Sequence, residues 1–304
     1  MLLYNLVVRS YGLLIKTVAF RKIKAAQWVE GRKNWRQKLQ QQLRNAGPGR
    51  VAWIHCASYG EFEQGRPLIE KFRKLYPDHR IVLSFFSPSG YEAFKNWPGA
   101  DVICYLPLDT KRNAGDFVDL IQPSVAIFIK YEFWVNYLFA LKRKNVPVFL
   151  VSAVFKQHHP FFKWYGSLFR RSLATFKKLF IQDEASGVLL AKIGINHFEV
   201  CGDTRFDRVL EIKKNFKPIP EIAQFKGNNT LLVAGSTWPK DDDLVIAAYS
   251  QINNPELKLL LVPHDVEEKF VETVCEKLAA AGLSYSRFTK GIDNQARVLV
   301  LDTM

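Results

Sequence analysis

Cysteine pairs, glycine-rich nucleotide loops and long apolar runs are all missing from this 304-residue chain. Its four cysteines, Cys56, Cys104, Cys201 and Cys275, are far apart and form no Cys-x-x-Cys pair. A disulfide framework or clustered metal site is therefore not expected; four inert thiols in a reducing compartment are. Neither G-x-G-x-x-G nor the P-loop pattern occurs, which removes the dinucleotide and NTPase fingerprints. The N-terminal stretch MLLYNLVVRSYGLLIKTVAFRKIK is apolar but broken by Arg9 and Lys16, so it holds no clean spanning helix. It also lacks the small-residue cleavage site of a secretory signal.

Negative charge is scarce at the start of the chain. Residues 1–50 carry 11 Lys and Arg against one acid, Glu30, so most of the formal net charge of +14 sits there. A nucleic-acid binder usually spreads its basic stripe over the folded domain; this skew reads instead as a basic, membrane-facing arm over 1–50. Arg9 and Lys16 share one helical face, while Leu2, Leu3, Leu6, Leu13 and Leu14 supply much of the rest. That pattern suits a helix lying in a bilayer interface, with Arg21, Lys22 and Lys24 on anionic headgroups. A soluble amphipathic helix packed on the domain is the alternative. Residues 155–180 hold six Lys and Arg, eight aromatics and no acid. Such a stretch suits stacking on single-stranded nucleic acid, a seat among lipid headgroups, or a core helix with a basic outer face. Beside a lipid-seeking arm, the second reading is the most economical.

The composition, 48% hydrophobic and 24% charged, is that of folded domains, and the length suffices for two. From Val51, short apolar runs alternate with helical patterns: VAWIHCA, RIVLSFF, DVICYLP, VAIFIK, VPVFLVSA and KLFIQD are strand candidates. This predicts a parallel sheet covered on both faces, a Rossmann-like domain over 51–211. Residues 212–229, polar and with two prolines, read as a linker. Alternation restarts at TLLVAG and continues through LKLLLVPH to RVLVLDT, the opening of a second Rossmann-like domain over 230–304. A chain stopping on an uncovered central strand reads as cut short inside that domain.

Ligands of doubly wound sheets bind beyond the carboxyl ends of the strands, so the strand-to-helix turns are the places to look. In ASYGE, Gly60 permits a tight turn and close ligand approach, and Glu61 begins a helix. A carboxylate there either stabilises the helix start or takes a proton from an attacking hydroxyl. His55, just before, reads as packed in the core or supporting the site. In KYEFW, Glu132 lies among aromatics, paired with Lys130 or Arg205 or else functional. The charges of GDTRFDR form a solvated turn or a site. In AGSTWPKDDD, Ser236, Thr237 and local backbone N–H groups could hold a phosphate at a helix N-terminus. The run Asp241–Asp243 is more simply a set of helix-start acids than a metal site.

Taken together, WIHCASYGE, KYEFW, GDTRFD, AGSTWP and the closing DTM resemble, in order and spacing, the 3-deoxy-D-manno-octulosonic acid (Kdo) transferases of lipopolysaccharide synthesis. The resemblance implies a GT-B fold, two Rossmann-like domains facing across a cleft, with the second incomplete here. It implies transfer of Kdo, with inversion, from CMP-Kdo to the lipid A precursor (lipid IVA) at the cytoplasmic face of the inner membrane. No cofactor, bound metal or nucleic-acid partner is expected. By position, the family's catalytic base falls on Glu61 and its second acid on Glu132. Ser58, Gly60, Lys130 and Arg205 fall on the acceptor side. Gly235, Ser236, Thr237 and His264 fall on the donor side. The family commonly shows an Arg-His pair after its VP strand, where this chain has Pro263-His264-Asp265, which weakens His264. The family also continues past DTM by about a quarter of its length. The other readings are a GT-B transferase using another nucleotide sugar, or a non-enzymatic basic membrane- or RNA-binding protein.

Overall fold

The apolar runs after Val51 become strands because β-branched and aromatic residues fill both faces of a buried sheet. A computed structural model describes residues 1–214 and 216–303. The chain divides into two units, Met1–Lys214 and Asn215–Met304. Met304 of the closing motif and Asn215 of the expected linker lie outside the described residues.

The first unit begins with α1 (Leu2–Val18), α2 (Ile23–Gly31) and α3 (Trp35–Asn45). It continues through β1 (Arg50–Cys56), α4 (Tyr59–Leu75), β2 (His79–Phe85), α5 (Pro88–Phe94), β3 (Val102–Tyr105) and α6 (Lys111–Ile121). Then come β4 (Pro123–Ile129), α7 (Val135–Arg143), β5 (Val148–Ala153), α8 (Ser167–Leu173), β6 (Lys178–Ile181), α9 (Glu184–Ala191), β7 (Phe198–Val200) and α10 (Thr204–Lys214). The strands pair in parallel in the order β3-β2-β1-β4-β5-β6-β7. That order reverses direction between β1 and β4, the switch point where such sheets open a crevice at their carboxyl ends.

Side chains of β1 alternate between two cores. Trp53 joins Phe117, Phe128 and Tyr137 on one face, with ring centroids 5.0–5.6 Å from it. Ile54 and Cys56 join Phe62, Phe85 and Ile129 on the other. The close seat of α4 depends on Gly65, where a Cβ would stand 3.0 Å from Ile129 Cγ1 and 3.4 Å from Cys56 Sγ.

Two expected boundaries shift. The basic stretch 1–50 is not a separate arm: Val8, Trp28 and Leu39 are buried, and Leu39 belongs to the core of the first unit. The outward face of α1 still leaves Leu2 90% exposed, with Leu3, Leu6, Leu13 and Leu14 open as well. The expected linker is also structured. Its start closes α10, and its middle is α11 (Pro220–Lys226), whose Phe225 is fully buried with Leu260, Ala296 and Leu299 of the second unit. Residues 155–180 split: Phe155, Phe161 and Phe176 enter the core, whereas Trp164 is 92% exposed and Tyr165 open. No helix among the described residues is long and apolar enough to cross a membrane.

The second unit adds β8 (Thr230–Thr237), α12 (Pro239–Ser250), β9 (Leu257–Pro263), α13 (Glu268–Ala280), β10 (Tyr285–Arg287) and β11 (Val298–Val300). Its parallel sheet has the order β10-β11-β9-β8, with β8 at an edge and Leu232 and Val233 exposed.

Candidate functional site

The turns leaving β1 and β4, the two strands at the switch point, each carry a carboxylate. Glu61 lies in the first turn of α4, and the Ser58 hydroxyl at that helix's N-cap donates to it. Gly60 has an ordinary helical backbone and is exposed, and a Cβ there would meet nothing within 4 Å. The turn therefore does not require glycine; the residue leaves open space beside Glu61.

Glu132 is 8% exposed, and two side chains reach it. Trp134 Nε1 donates to its Oε2 at 2.5 Å, and His55 Nε2 lies 2.9 Å from the same oxygen. His55 is fully buried, with Nδ1 2.9 Å from Ser84 Oγ, which itself accepts from Trp53 Nε1 at 2.8 Å. Assigning protons from the partners gives one continuous chain. Trp53 N–H donates to Ser84 Oγ, His55 Nδ1 meets both that Oγ and the Ser84 carbonyl at 3.0 Å, and His55 Nε2–H donates to Glu132. A buried carboxylate with two donors is compensated, and its position is fixed by three elements. Lys130 and Arg205, the partners expected for Glu132, are not the ones it takes.

Lys130 ends β4 with φ 71°, a left-handed conformation unusual without glycine, and its ammonium lies 5.5 Å from the Tyr131 ring centroid. Ser152 repeats this at the end of β5, with φ 61° and a register shift in the β5–β6 pairing. Thr204 Oγ1, opening α10, lies 3.1 Å from Ser152 Oγ. Beside it, Arg205 Nε donates to Asp203 Oδ2 at 2.7 Å, while its own amide donates to Oδ1 at 2.9 Å. Burial opposes the charge on Asp203, yet the bonds from Arg205 and the charges of Arg205 and Lys130 hold its carboxyl below the usual range. The Arg205 side chain stays 63% exposed.

Titration behaviour ties these turns together. The Cys56 thiol at the end of β1 is pushed well above its ordinary value, by burial first and then by the charges of both Glu61 and Glu132. The Tyr131 hydroxyl is raised by burial; Arg205 opposes that rise, while Asp183, Asp203 and Glu61 add to it. Ser58, Glu61, Lys130, Glu132 and Arg205 are therefore gathered at one end of the first unit's sheet.

In the second unit, Gly235 and Ser236 close β8, where Ser236 has φ 58° and breaks the register with β9. Ser236 Oγ lies 2.9 Å from His264 Nδ1, and Trp238 stacks on the His264 ring at 4.1 Å and 25°. Thr237 is buried, and its hydroxyl turns inward toward Asp242 and the Val262 carbonyl. Of the two hydroxyls expected on this turn, only that of Ser236 faces out. The three acids are separately employed: Asp241 Oδ2 accepts from the Trp238 amide at 2.9 Å, Asp242 meets Thr237, and Asp243 pairs with Lys277 at 2.7 Å.

A family model described as 3-deoxy-D-manno-octulosonic-acid transferase (kdotransferase) matches residues 33–208. The chain belongs to that family. It is 27% identical over 270 residues to the 3-deoxy-D-manno-octulosonic acid transferase of Chlamydia trachomatis serovar A, covering 85% of this chain and 61% of that protein. With the Aquifex aeolicus transferase the identity is 30% over 219 residues, 71% of this chain and 55% of that protein. The chain thus spans somewhat under two thirds of the length of these Kdo transferases. Among solved structures it resembles the UDP-GlcNAc 2-epimerase of Neisseria meningitidis, with TM-score 0.58, 13% identity, and coverage of 84% of this chain and 72% of that one. Likeness at that identity speaks for the fold alone, which is the expected α/β architecture of GT-B type. Three features of the candidate turns escaped the sequence analysis: the His55–Glu132 contact, Asp203 as the anchor of Arg205, and, in the second unit, Trp238 as the cover of His264. The one signal for His55 is its place at the end of an apolar strand, one residue before Cys56.

Proposed function

We propose that the protein transfers Kdo from CMP-Kdo to the lipid A precursor, lipid IVA, with Glu61 as general base. The observation that carries this reading is the pair of carboxylates on the two strand ends of the switch point, within a chain of the Kdo transferase family. A sugar hydroxyl of the acceptor gives its proton to Glu61 as its oxygen bonds to the anomeric carbon. The bond from that carbon to the CMP phosphate breaks, and CMP leaves with the electron pair, inverting the centre. Glu132, held by His55 and Trp134, positions the acceptor, and Lys130 and Arg205 place positive charge on the same side. The outward Ser236 hydroxyl, the Trp238–His264 stack and the amides opening α12 suit a nucleotide phosphate and its base. The exposed leucines of α1 and Trp164 suit the cytoplasmic face of the inner membrane.

The test is transfer of Kdo to lipid IVA in mixed micelles, with CMP-Kdo compared against UDP-sugars. Glu61→Gln should keep acceptor binding and lose transfer by about 10²–10⁴-fold, the usual share of a general base. Unchanged transfer by that variant, or transfer from a UDP-sugar in place of CMP-Kdo, overturns the assignment.

A further inference from the structure

Beneath α1 lies a cavity of about 550 Å³ walled by α1, α2 and the loop after β3, with neither Glu61 nor Glu132 in its lining. Its lining includes Trp28, Trp35 and Leu108 together with four cations, Arg9, Lys16, Arg32 and Lys33, and no acid. Lys33 is paired with Glu30 at 2.6 Å, whereas Arg9 and Lys16 enter no ion pair among the described residues. Trp28 lines it by its ring and is 6% exposed, and its indole N–H is closed to the cavity. One cation in the wall lacks an anion. The Arg32 guanidinium donates only to the carbonyls of Trp28, Leu106 and Phe86, at 2.7–3.0 Å, and stacks 3.9 Å from the Trp28 ring. Burial of this cation without a carboxylate pulls its pKa down to about 9.

A buried cation left without an anion is costly unless something supplies one. We infer that this cavity binds an acidic phospholipid of the bilayer. Its phosphate would be held by Arg32, Arg9 and Lys16, and the start of one acyl chain would lie along Leu13 and Leu108. The size fits a headgroup and a short stretch of chain, since pockets for drug-sized ligands run about 300–1,000 Å³. A bilayer lipid is favoured over free phosphate because the lining is largely apolar and Leu13, on the open face of α1, stands at the mouth. The inference does not depend on the transferase reading.

The test titrates the protein by calorimetry with dihexanoyl-phosphatidylglycerol below its micelle concentration, so that no bilayer surface is present. Saturable binding of one molecule per chain is expected. Arg32→Met, which removes the cation of the wall, should weaken it about tenfold or more. Removing the two rim charges with Arg9→Gln and Lys16→Gln should weaken it about tenfold or more. This second variant changes only exposed side chains, so it decides the matter if Arg32→Met fails to fold. Leu2→Ser with Leu3→Ser, outside the cavity, should leave binding unchanged. Absence of binding, equal binding of inorganic phosphate or dihexanoyl-phosphatidylcholine, insensitivity to both cavity variants, or displacement by lipid IVA would each overturn the assignment.

Discussion

His55→Phe isolates the buried contact on which Glu132 rests. The substitution keeps an aromatic ring among Trp53, Phe128 and Trp134 but removes both ring nitrogens. Glu132 then loses the donor at 2.9 Å and keeps Trp134, while Ser84 loses the ring nitrogen that meets its hydroxyl and carbonyl. Stranding a buried charge costs about 3–5 kcal/mol, and stranding one neutral polar group about 1–3 kcal/mol. Because Glu132 retains one donor, the expected cost is about 3 kcal/mol. For a unit of 150–250 residues each kcal/mol lowers Tm by about 2–4 °C, so the first unit should melt about 6–12 °C lower. Differential scanning calorimetry reads this directly. A double-mutant cycle with Glu132→Leu attributes it, because removing the carboxylate as well should return about 1.5–3 kcal/mol. A loss below about 1 kcal/mol, or strictly additive single variants, would refute the proton chain described for Ser84, His55 and Glu132.

Asp109 gives a pH dependence of the opposite sign to the usual carboxylate. It is fully buried, accepts from Tyr4, Asn136 and Tyr137, and burial raises its pKa from 3.8 to about 6 despite those bonds. Between those values the folded chain holds more protons than the unfolded one, so this group's contribution grows as pH falls through 6, by up to about 3 kcal/mol. Denaturant midpoints should therefore show Asp109→Asn costing more at about pH 4.5 than at about pH 7.5; the reverse order contradicts the reading. On α4, two glycines five positions apart should respond in opposite directions. Gly60→Ala, in open space, should stabilise by about 0.5–1 kcal/mol. Gly65→Ala, against Ile129 and Cys56, should cost about 1–3 kcal/mol in urea unfolding.

The parallel sheet was legible because its strands are near-continuous apolar runs bounded by turn residues, and β3, β5, β6 and β9 formed within those runs. β7 and β10, three residues each, are too short to carry a pattern. The linker reading missed α11, because that helix is polar apart from Phe225 and Ile222, which tie it to the second unit's core. The arm reading failed for a similar reason, since few inward residues such as Val8, Trp28 and Leu39 hold α1–α3 in place. Glu61 and Glu132 were visible as acids after strands. What fixes Glu132 was not, because His55 and Ser84 lie far from it in sequence and meet it only when β1, β2 and β4 align.

Backbone strain at the strand ends of each unit was also invisible, because no glycine marks it. Lys130, Ser152 and Ser236 each hold a left-handed conformation at a strand end, where a side chain costs about 1–2 kcal/mol. At Lys130 the backbone and the ammonium can be separated by comparing two substitutions. Lys130→Ala and Lys130→Gly both delete the charge beside Tyr131 and Asp203, but only glycine relieves φ 71°. If the side chain serves the acceptor, both variants should lose transfer equally. The glycine variant should be the more stable by about 1 kcal/mol, once its greater unfolded-state entropy has offset part of the relief. Equal stabilities would mean that the turn stores no strain. Full activity in both would mean that the strand end is shaped by the path of the chain into α7, with no role for the ammonium it presents.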